Sequence, residues 1–278
     1  MSAEPLVDIR DLVVEYPSKR LGRAPYQALK GVSLDIRAGE CVGLVGESGS
    51  GKSTLGRALL GLAPVSGGSV RYKGREIGSL RRRQRRALAD EIQVVFQDPY
   101  SSLNPSLTIE QSLAEPLRVR KMSSRDASQR VRTLLDQVGL PSDAARRLPR
   151  EFSGGQRQRV AIARALALEP SVIVCDEPVS ALDLSTQARV LRLFADVQEA
   201  TGVAYLFVSH DLAVVRHISH RVAVMYRGEI VEFGDGDQVT AQPQHPYTQR
   251  LLLAAPVPDP VRQARRREER RAMLVAAS

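Results

Sequence analysis

Residues 46–53 read GESGSGKS, which puts Gly46, Gly51, Lys52 and Ser53 in the pattern G-x-x-x-x-G-K-S. Glycines let a backbone wrap closely around an anion so that successive N–H groups point at phosphate oxygens. The start of a following helix adds positive partial charge. In such a pattern Lys52 neutralises β- and γ-phosphate charge and the Ser53 hydroxyl ligates Mg²⁺. The candidate cradle is therefore Gly46, Glu47, Ser48, Gly49, Ser50, Gly51, Lys52, Ser53 and Thr54. Its flanks suit it, with the apolar run Cys41–Val45 before it and an amphipathic run, Ser53–Leu60, after it. By itself the motif specifies a nucleoside triphosphate and no more.

A second constellation follows the apolar run Val172–Cys175, which leads straight into Asp176 and Glu177. Alone, two carboxylates after a strand are as often a surface turn as a site. Beside a phosphate loop, Asp176 is expected to hold Mg²⁺ through water, and Glu177 to polarise an attacking water. A third lies in EFSGGQRQR at Glu151–Arg159, where Ser153, Gly154, Gly155 and Gln156 open a long helical run. That is another helix start able to face an anion.

The elements that must position these groups alternate. Strands are expected at Val7–Val14, Val32–Ile36, Cys41–Val45, Ile92–Phe96, Val172–Cys175, Ala204–Ser209 and Val222–Met225. Several are continuously apolar, as strands buried on both faces are. Helices are expected between them, at Ser53–Leu60, Gln156–Leu168 and Ser185–Ala200. Strand followed by helix, repeated, points to an α/β core with a largely parallel sheet. Between Asp98 and Glu151 strand signals stop, and helical runs at Ile109–Arg118 and Arg125–Val138 suggest an all-helical insertion. From Gln242 the chain is rich in proline and then in charge.

Composition narrows the class. The 278 residues are 43% hydrophobic and 26% charged, an ordinary globular balance rather than a disordered one. Trp is absent and aromatics make up 4%, which disfavours broad base-stacking platforms. No run approaches the roughly 20 apolar residues of a membrane-spanning helix, and the N-terminus lacks the pattern of a secretory signal. A cytosolic protein is expected, with any transport role exercised as an attached part. Cys41 and Cys175 each sit in an apolar run with no metal-ligand spacing, and are expected to be buried thiols. The net charge of +9 gathers partly in Arg81–Arg86 and Arg262–Arg271. It suits a solvated face, anionic lipid or nucleic acid.

The order of these motifs, with the SGGQ loop shortly before the acidic pair, resembles the ATP-binding-cassette (ABC) ATPase family. The resemblance implies further roles at matching positions. Tyr16 would stack on adenine, Gln97 would ligate Mg²⁺ and link it to the helical insertion, and His210 would contact the γ-phosphate beside Lys52 and Glu177. Asp183, closing SALD at Ser180–Asp183, would signal across a dimer, and Ser153, Gly154, Gly155 and Gln156 would complete the nucleotide site of a partner cassette. VVFQDPYSSLNP at Val94–Pro105, CDEPVSALD at Cys175–Asp183, SHDLAVVRHISHRVAVMY at Ser209–Tyr226 and HPYTQRLLLAAPVPDP at His245–Pro260 resemble the oligopeptide/dipeptide permease ATPases.

The implied fold is α/β: a P-loop NTPase core (1–97 and 152–241) with a mostly parallel sheet and an antiparallel β subdomain. An all-helical subdomain (98–151) and a short C-terminal extension (242–278) complete it. The implied function is that of an ATP-hydrolysing motor using ATP and Mg²⁺ to power peptide uptake, at the cytoplasmic face of the inner membrane. Expected partners are a second ABC ATPase subunit (sister or self), two transmembrane permease subunits and, indirectly, an extracytoplasmic solute-binding protein, with no nucleic acid. A non-peptide solute is the alternative cargo. A soluble ABC ATPase acting on nucleic acid or ribosomes usually carries two cassettes or a long coiled coil. No cysteine follows Cys175, so the iron–sulfur cluster that some subunits of this subfamily carry is not expected.

Overall fold

The computed structural model describes residues 4–17, 24–98 and 102–254. The end of the HPYT stretch and the run Arg262–Arg271 lie outside the described residues. Contacts gather the chain into two units, one holding residues 36–40 and 79–206, the other 7–35, 41–78 and 207–254.

The second of these opens with β1 (Val7–Tyr16), β2 (Tyr26–Ile36), β3 (Cys41–Val45), α1 (Lys52–Leu60), β4 (Val65–Tyr72) and β5 (Arg75–Glu76). A four-stranded sheet runs β2–β1–β4–β5, with β4 antiparallel to both β1 and β5. Along β1 the buried residues are Val7, Ile9, Leu12 and Val14, so the inward phase changes from odd to even positions. A strand of strict period two cannot do this without an extra residue. The pairing with β4 accordingly shifts between Arg10 and Val13, around Asp11 at φ +46°. Strand β4 is not among the strands expected from the sequence: VSGG carries two glycines, which disfavour a strand, and cross-strand pairing with β1 overrides that local preference.

The other unit carries α2 (Arg82–Leu88), β6 (Ile92–Val95), α3 (Ile109–Val119), α4 (Ser124–Gln137), α5 (Gly154–Leu166), β7 (Val172–Asp176), α6 (Leu184–Thr201) and the start of β8 (Ala204–Ser209). Strand β7 stands between β8 and β6, pairing in parallel with β6 from Ile92↔Val172 to Val95↔Cys175. Helix α3 starts at Thr108, whose hydroxyl accepts the Gln111 N–H while Gln111 Oε1 accepts the Thr108 N–H. It buries Ile109, Leu113 and Leu117, and α4 buries Ala127, Val131 and Leu134, one face each at helical spacing. Arg130 of α4 donates to the Leu166 carbonyl at 2.9 Å, placing a cation at the C-terminal end of α5. Phe194 and Tyr205 meet edge to face at 5.4 Å, both fully buried, and the Tyr205 hydroxyl donates to the Phe194 carbonyl.

After residue 206 the chain returns to its first unit with the end of β8, then α7 (Leu212–Ile218), β9 (Arg221–Tyr226), β10 (Glu229–Asp235), α8 (Gly236–Ala241) and α9 (Pro246–Ala254). Strand β9 lies parallel to β3 and antiparallel to β10, the latter across Arg227 and Gly228, both at positive φ. Arg221 grips Asp35 through two guanidinium nitrogens at 2.9 and 3.2 Å. Val45, Val215, Val222, Val224, Val239 and Tyr247 form a buried cluster against which Leu251 and Leu252 of α9 pack. Cys41 and Cys175 are buried and form no disulfide. Among the described residues no helix is long and apolar enough to cross a membrane.

Candidate functional site

Strand β3 is buried along its whole length and ends at Val45, where the loop begins. Gly46 stands at φ +154°, and a Cβ there would lie 2.1 Å from the Met225 carbonyl oxygen of β9. Only glycine lets the loop leave the sheet this close to its neighbour. The tip, Glu47–Gly49, is exposed, whereas Ser50 and Lys52 are about 5% exposed. Helix α1 starts after Gly51 with no side-chain cap and no acidic residue in its first turn. Its positive end is thus left to an anion rather than to a neighbouring side chain. The Lys52 ammonium folds back over the loop, donating to the Gly46 carbonyl at 2.8 Å and the Glu47 carbonyl at 2.9 Å. The Ser50 hydroxyl is buried with no protein partner. An unpaired buried hydroxyl, a lysine folded over a glycine loop and an uncapped helix start together suit a polyphosphate.

Two more expected residues belong to this unit. Tyr16 ends β1, half-buried. His210 is exposed between the end of β8 and the start of α7. That helix is capped by Asp211, which accepts the Ala213 N–H at 2.8 Å. The Ser209 hydroxyl also accepts the Asp211 N–H, so backbone on both sides of His210 is held.

The acidic pair lies in the other unit. The parallel register that sets Val95 opposite Cys175 brings Gln97 beside Glu177 two residues on, and Gln97 Nε2 donates to Glu177 Oε2 at 3.4 Å. Glu177 stands at φ +48°, a conformation that costs an L-residue about 1–2 kcal/mol. The N–H and hydroxyl of Ser180 both bond its carbonyl, at 3.3 and 3.0 Å, and hold that turn. Strain of this kind persists only where the surroundings over-determine it, which is common at working sites.

Ser153 caps α5 by accepting the Gln156 N–H, while Gln156 Oε1 accepts the Ser153 N–H. Two of the four signature residues therefore shape the helix start itself. A Cβ on Gly155 would lie 2.2 Å from Thr186 Cγ2, so α5 begins in direct contact with the first turn of α6. Asp183 caps that second helix, accepting the Ser185 hydroxyl at 2.7 Å and the Thr186 N–H at 3.0 Å. Its carboxyl is held well below the usual carboxylate range, first by the Ser185 hydrogen bond and then by Thr186. A groove of about 560 Å³ opens beside the Gln97 segment, lined by Phe96, Pro116, Ala161 and Arg164 among others.

The phosphate loop, Tyr16 and His210 thus fall in one unit, and Gln97, Asp176, Glu177, Asp183 and residues 153–156 in the other. Among the described residues no three or more His, Cys, Asp or Glu cluster as a metal site. The expected Mg²⁺ donors, Ser53, Gln97 and Asp176, are all hard oxygens and few, which fits an ion that keeps most of its waters. Sequence reasoning missed Tyr247, whose hydroxyl accepts the Glu47 N–H at 3.0 Å from 200 residues away. It also missed Thr186, because the close approach to Gly155 is a tertiary contact that neither local pattern encodes.

The chain matches two family models, "ABC transporter" over residues 29–180 and "Oligopeptide/dipeptide transporter, C-terminal region" over residues 231–277. It is 52% identical over 268 residues to the glutathione import ATP-binding protein GsiA of Escherichia coli K12, and 51% identical to GsiA of Pectobacterium atrosepticum. Each match covers 95% of this chain but only 43% of the relative, so the chain spans less than half the length of these curated proteins. Among solved structures it is similar to cbiO1 of Clostridium perfringens, part of the ABC transporter complex cbiONQ. That likeness has a TM-score of 0.78 at 27% identity and covers 86% of this chain and 92% of that one. The ATP-binding cassette MJ0796, in a dimeric post-hydrolysis state bound to ADP and Pi, aligns with a TM-score of 0.73 at 32% identity, over 82% of this chain and 98% of that one. The fold is that of an ABC ATPase cassette, and this chain belongs to the ABC transporter family, with the C-terminal region of its oligopeptide/dipeptide branch.

Proposed function

We propose that this chain is the ATP-hydrolysing motor of an ABC importer that takes up di- or oligopeptides, working at the cytoplasmic face of a membrane. The observation that carries the reading is the co-occurrence in one chain of the cassette match and the oligopeptide/dipeptide C-terminal region. The likeness to a protein named for glutathione import, a tripeptide, supports a peptide cargo.

The residues divide the chemistry. The loop Gly46–Thr54 grips the triphosphate with backbone N–H groups, Lys52 balances its β- and γ-charge, and Tyr16 stacks on adenine. Ser53, Asp176 and Gln97 would hold Mg²⁺, which when bound draws charge off the phosphate oxygens. Glu177 polarises the attacking water, and His210 donates to the γ-phosphate as negative charge builds there. Ser153, Gly154, Gly155 and Gln156 complete the nucleotide site of a second cassette, sister or self, and Asp183 reports across that pair. Residues 98–151, as a helical subdomain, and the groove beside Gln97 pass closure to two permease subunits. A solute-binding protein outside the membrane selects the cargo. The surplus of basic residues suits a surface close to anionic lipid.

The test is Glu177→Gln, tagged in its native cell and purified from gently solubilised membranes with ATP and Mg²⁺. The expected result is intact ATP binding, phosphate release lowered at least about 100-fold, and co-purification of two multi-span permease subunits with a second cassette. Ribosomes or nucleic acid without membrane protein would overturn the transport reading. Wild-type turnover would overturn the role of Glu177.

A further inference from the structure

The C-terminal helix reaches the phosphate loop. Tyr247, in the second position of α9, is 3% exposed and stacks on Tyr226 with ring centroids 4.2 Å apart. Its hydroxyl accepts the backbone N–H of Glu47 at 3.0 Å. The same residue, Glu47, offers its carbonyl to the Lys52 ammonium at 2.9 Å and to the Ser50 N–H at 3.2 Å. One peptide unit on either side of Glu47 thus joins three things: the tyrosine, the lysine that faces phosphate, and the turn that carries Ser50.

Tyr247 is itself anchored from several directions. Its N–H donates to His245 Nδ1 at 3.1 Å. The N–H groups of Gln244 and His245 both donate to the Glu232 carboxylate of β10, at 2.8 and 3.1 Å. Its ring belongs to the buried cluster with Val45, the last residue of β3, and Leu212. Burial raises the phenol above its ordinary pKa, so the hydroxyl stays protonated and neutral wherever the protein is assayed. An immobile neutral oxygen is well suited to fix the direction of a backbone N–H on an otherwise exposed loop tip.

We propose that Tyr247 is a positioning residue for nucleotide binding: through Glu47 it sets the phosphate loop and the resting place of Lys52, so the C-terminal region acts as a built-in brace of the ATP site. The oligopeptide/dipeptide C-terminal region begins at residue 231 and includes this tyrosine. The brace therefore gives that region a task within the cassette itself. Pre-organising a loop removes an ordering cost from each binding event, so its loss appears in affinity. The proposal rests on the reading of Gly46–Thr54 as the ATP loop.

The experiment compares full-length wild type, Tyr247→Phe and Leu251→Ala by calorimetric titration with ATP and Mg²⁺, by thermal unfolding without nucleotide, and by steady-state phosphate release. Tyr247→Phe keeps the ring and removes only the acceptor. Leu251→Ala loosens the same helix and leaves the hydroxyl in place. The expected result for Tyr247→Phe is an ATP Kd raised about 3- to 10-fold, the loss of one neutral hydrogen bond. KM for ATP rises by the same factor, with kcat changed by less than about 2-fold. Leu251→Ala lowers the unfolding midpoint while its ATP Kd stays within about 2-fold of wild type. Wild-type affinity in Tyr247→Phe would overturn the proposal, and so would equal weakening in Leu251→Ala, which would make the effect one of helix packing. A wild type that fails to bind ATP would instead overturn the nucleotide reading, and the brace with it.

Discussion

Glu177 offers a test in which stability and catalysis separate. Its φ of +48° lies where an L-residue pays about 1–2 kcal/mol and glycine pays nothing. At an ordinary position glycine is about 0.5–1 kcal/mol less stabilising than alanine, because it loses more freedom on folding. At Glu177 the strain term is larger than that entropy term, so the order reverses. Glu177→Gly is expected to be more stable than Glu177→Ala by about 0.5–1 kcal/mol. Both variants lose the same carboxylate and the same Gln97 contact at 3.4 Å. Both keep the two bonds from Ser180, which end on the backbone carbonyl of residue 177. Those contributions cancel in the comparison and leave the backbone term. In a chain of this size the difference corresponds to about 1–4 °C in thermal midpoint. The assay is paired thermal unfolding without nucleotide, with phosphate release measured alongside; turnover is lost in both variants. An alanine variant that melts at or above the glycine variant would refute the claim that this turn is held under strain.

Lys52→Ala removes the ammonium bonded to the Gly46 and Glu47 carbonyls, and should abolish ATP binding in a calorimetric titration; retained micromolar-range affinity would sink its assignment. Tyr205→Phe deletes a fully buried hydroxyl bonded to the Phe194 carbonyl, so the urea midpoint should fall by an amount worth about 1 kcal/mol at unchanged m-value. Asp183→Ala should melt lower than wild type at pH 7 because the cap is lost, with Asp183→Asn between the two because it keeps the cap and loses the charge; an alanine variant that melts like wild type would refute the capping role. Because the folded Asp183 carboxyl sits below its unfolded value, its contribution is present above about pH 4 and fades only as pH falls towards the folded value. The gap between wild type and Asp183→Ala should therefore hold from pH 8 down to about pH 4.

The placement of the motifs in the fold was legible in the residues alone. The phosphate loop, the acidic pair and the SGGQ loop are contiguous strings whose function depends on local backbone geometry, and each falls at a strand end or helix start as expected. Buried parallel strands such as Val172–Cys175 announce themselves by unbroken apolar runs, because both faces need the same side chains. Strands β4 and β10 did not. One carries a Gly-Gly pair and the other is only partly buried, so each owes its form to antiparallel pairing with a neighbour. Arg82–Leu88 reads as a charge run and is a short helix.

Motif strings assign residue types but not the contacts that aim them. That Gln97 meets Glu177 follows from the register of β6 on β7, and a slip of one residue would turn the side chain to the other face. The left-handed turn at Glu177 leaves no mark in the sequence, since glutamate is not a residue that favours it. Gly155 must be glycine because Thr186 occupies the space a Cβ would need, a reason found 31 residues further along the chain. Tyr247 reads locally as part of a turn into a helix. Only the packing of α9 on the β3–β9 core brings its hydroxyl to Glu47. The sequence by itself determined where the phosphate-loop pattern, the acidic pair and the SGGQ string stand, because each is carried by a short segment. Tertiary structure decided how those groups are held, because strain, close approach and long-range hydrogen bonds exist only once distant segments pack together.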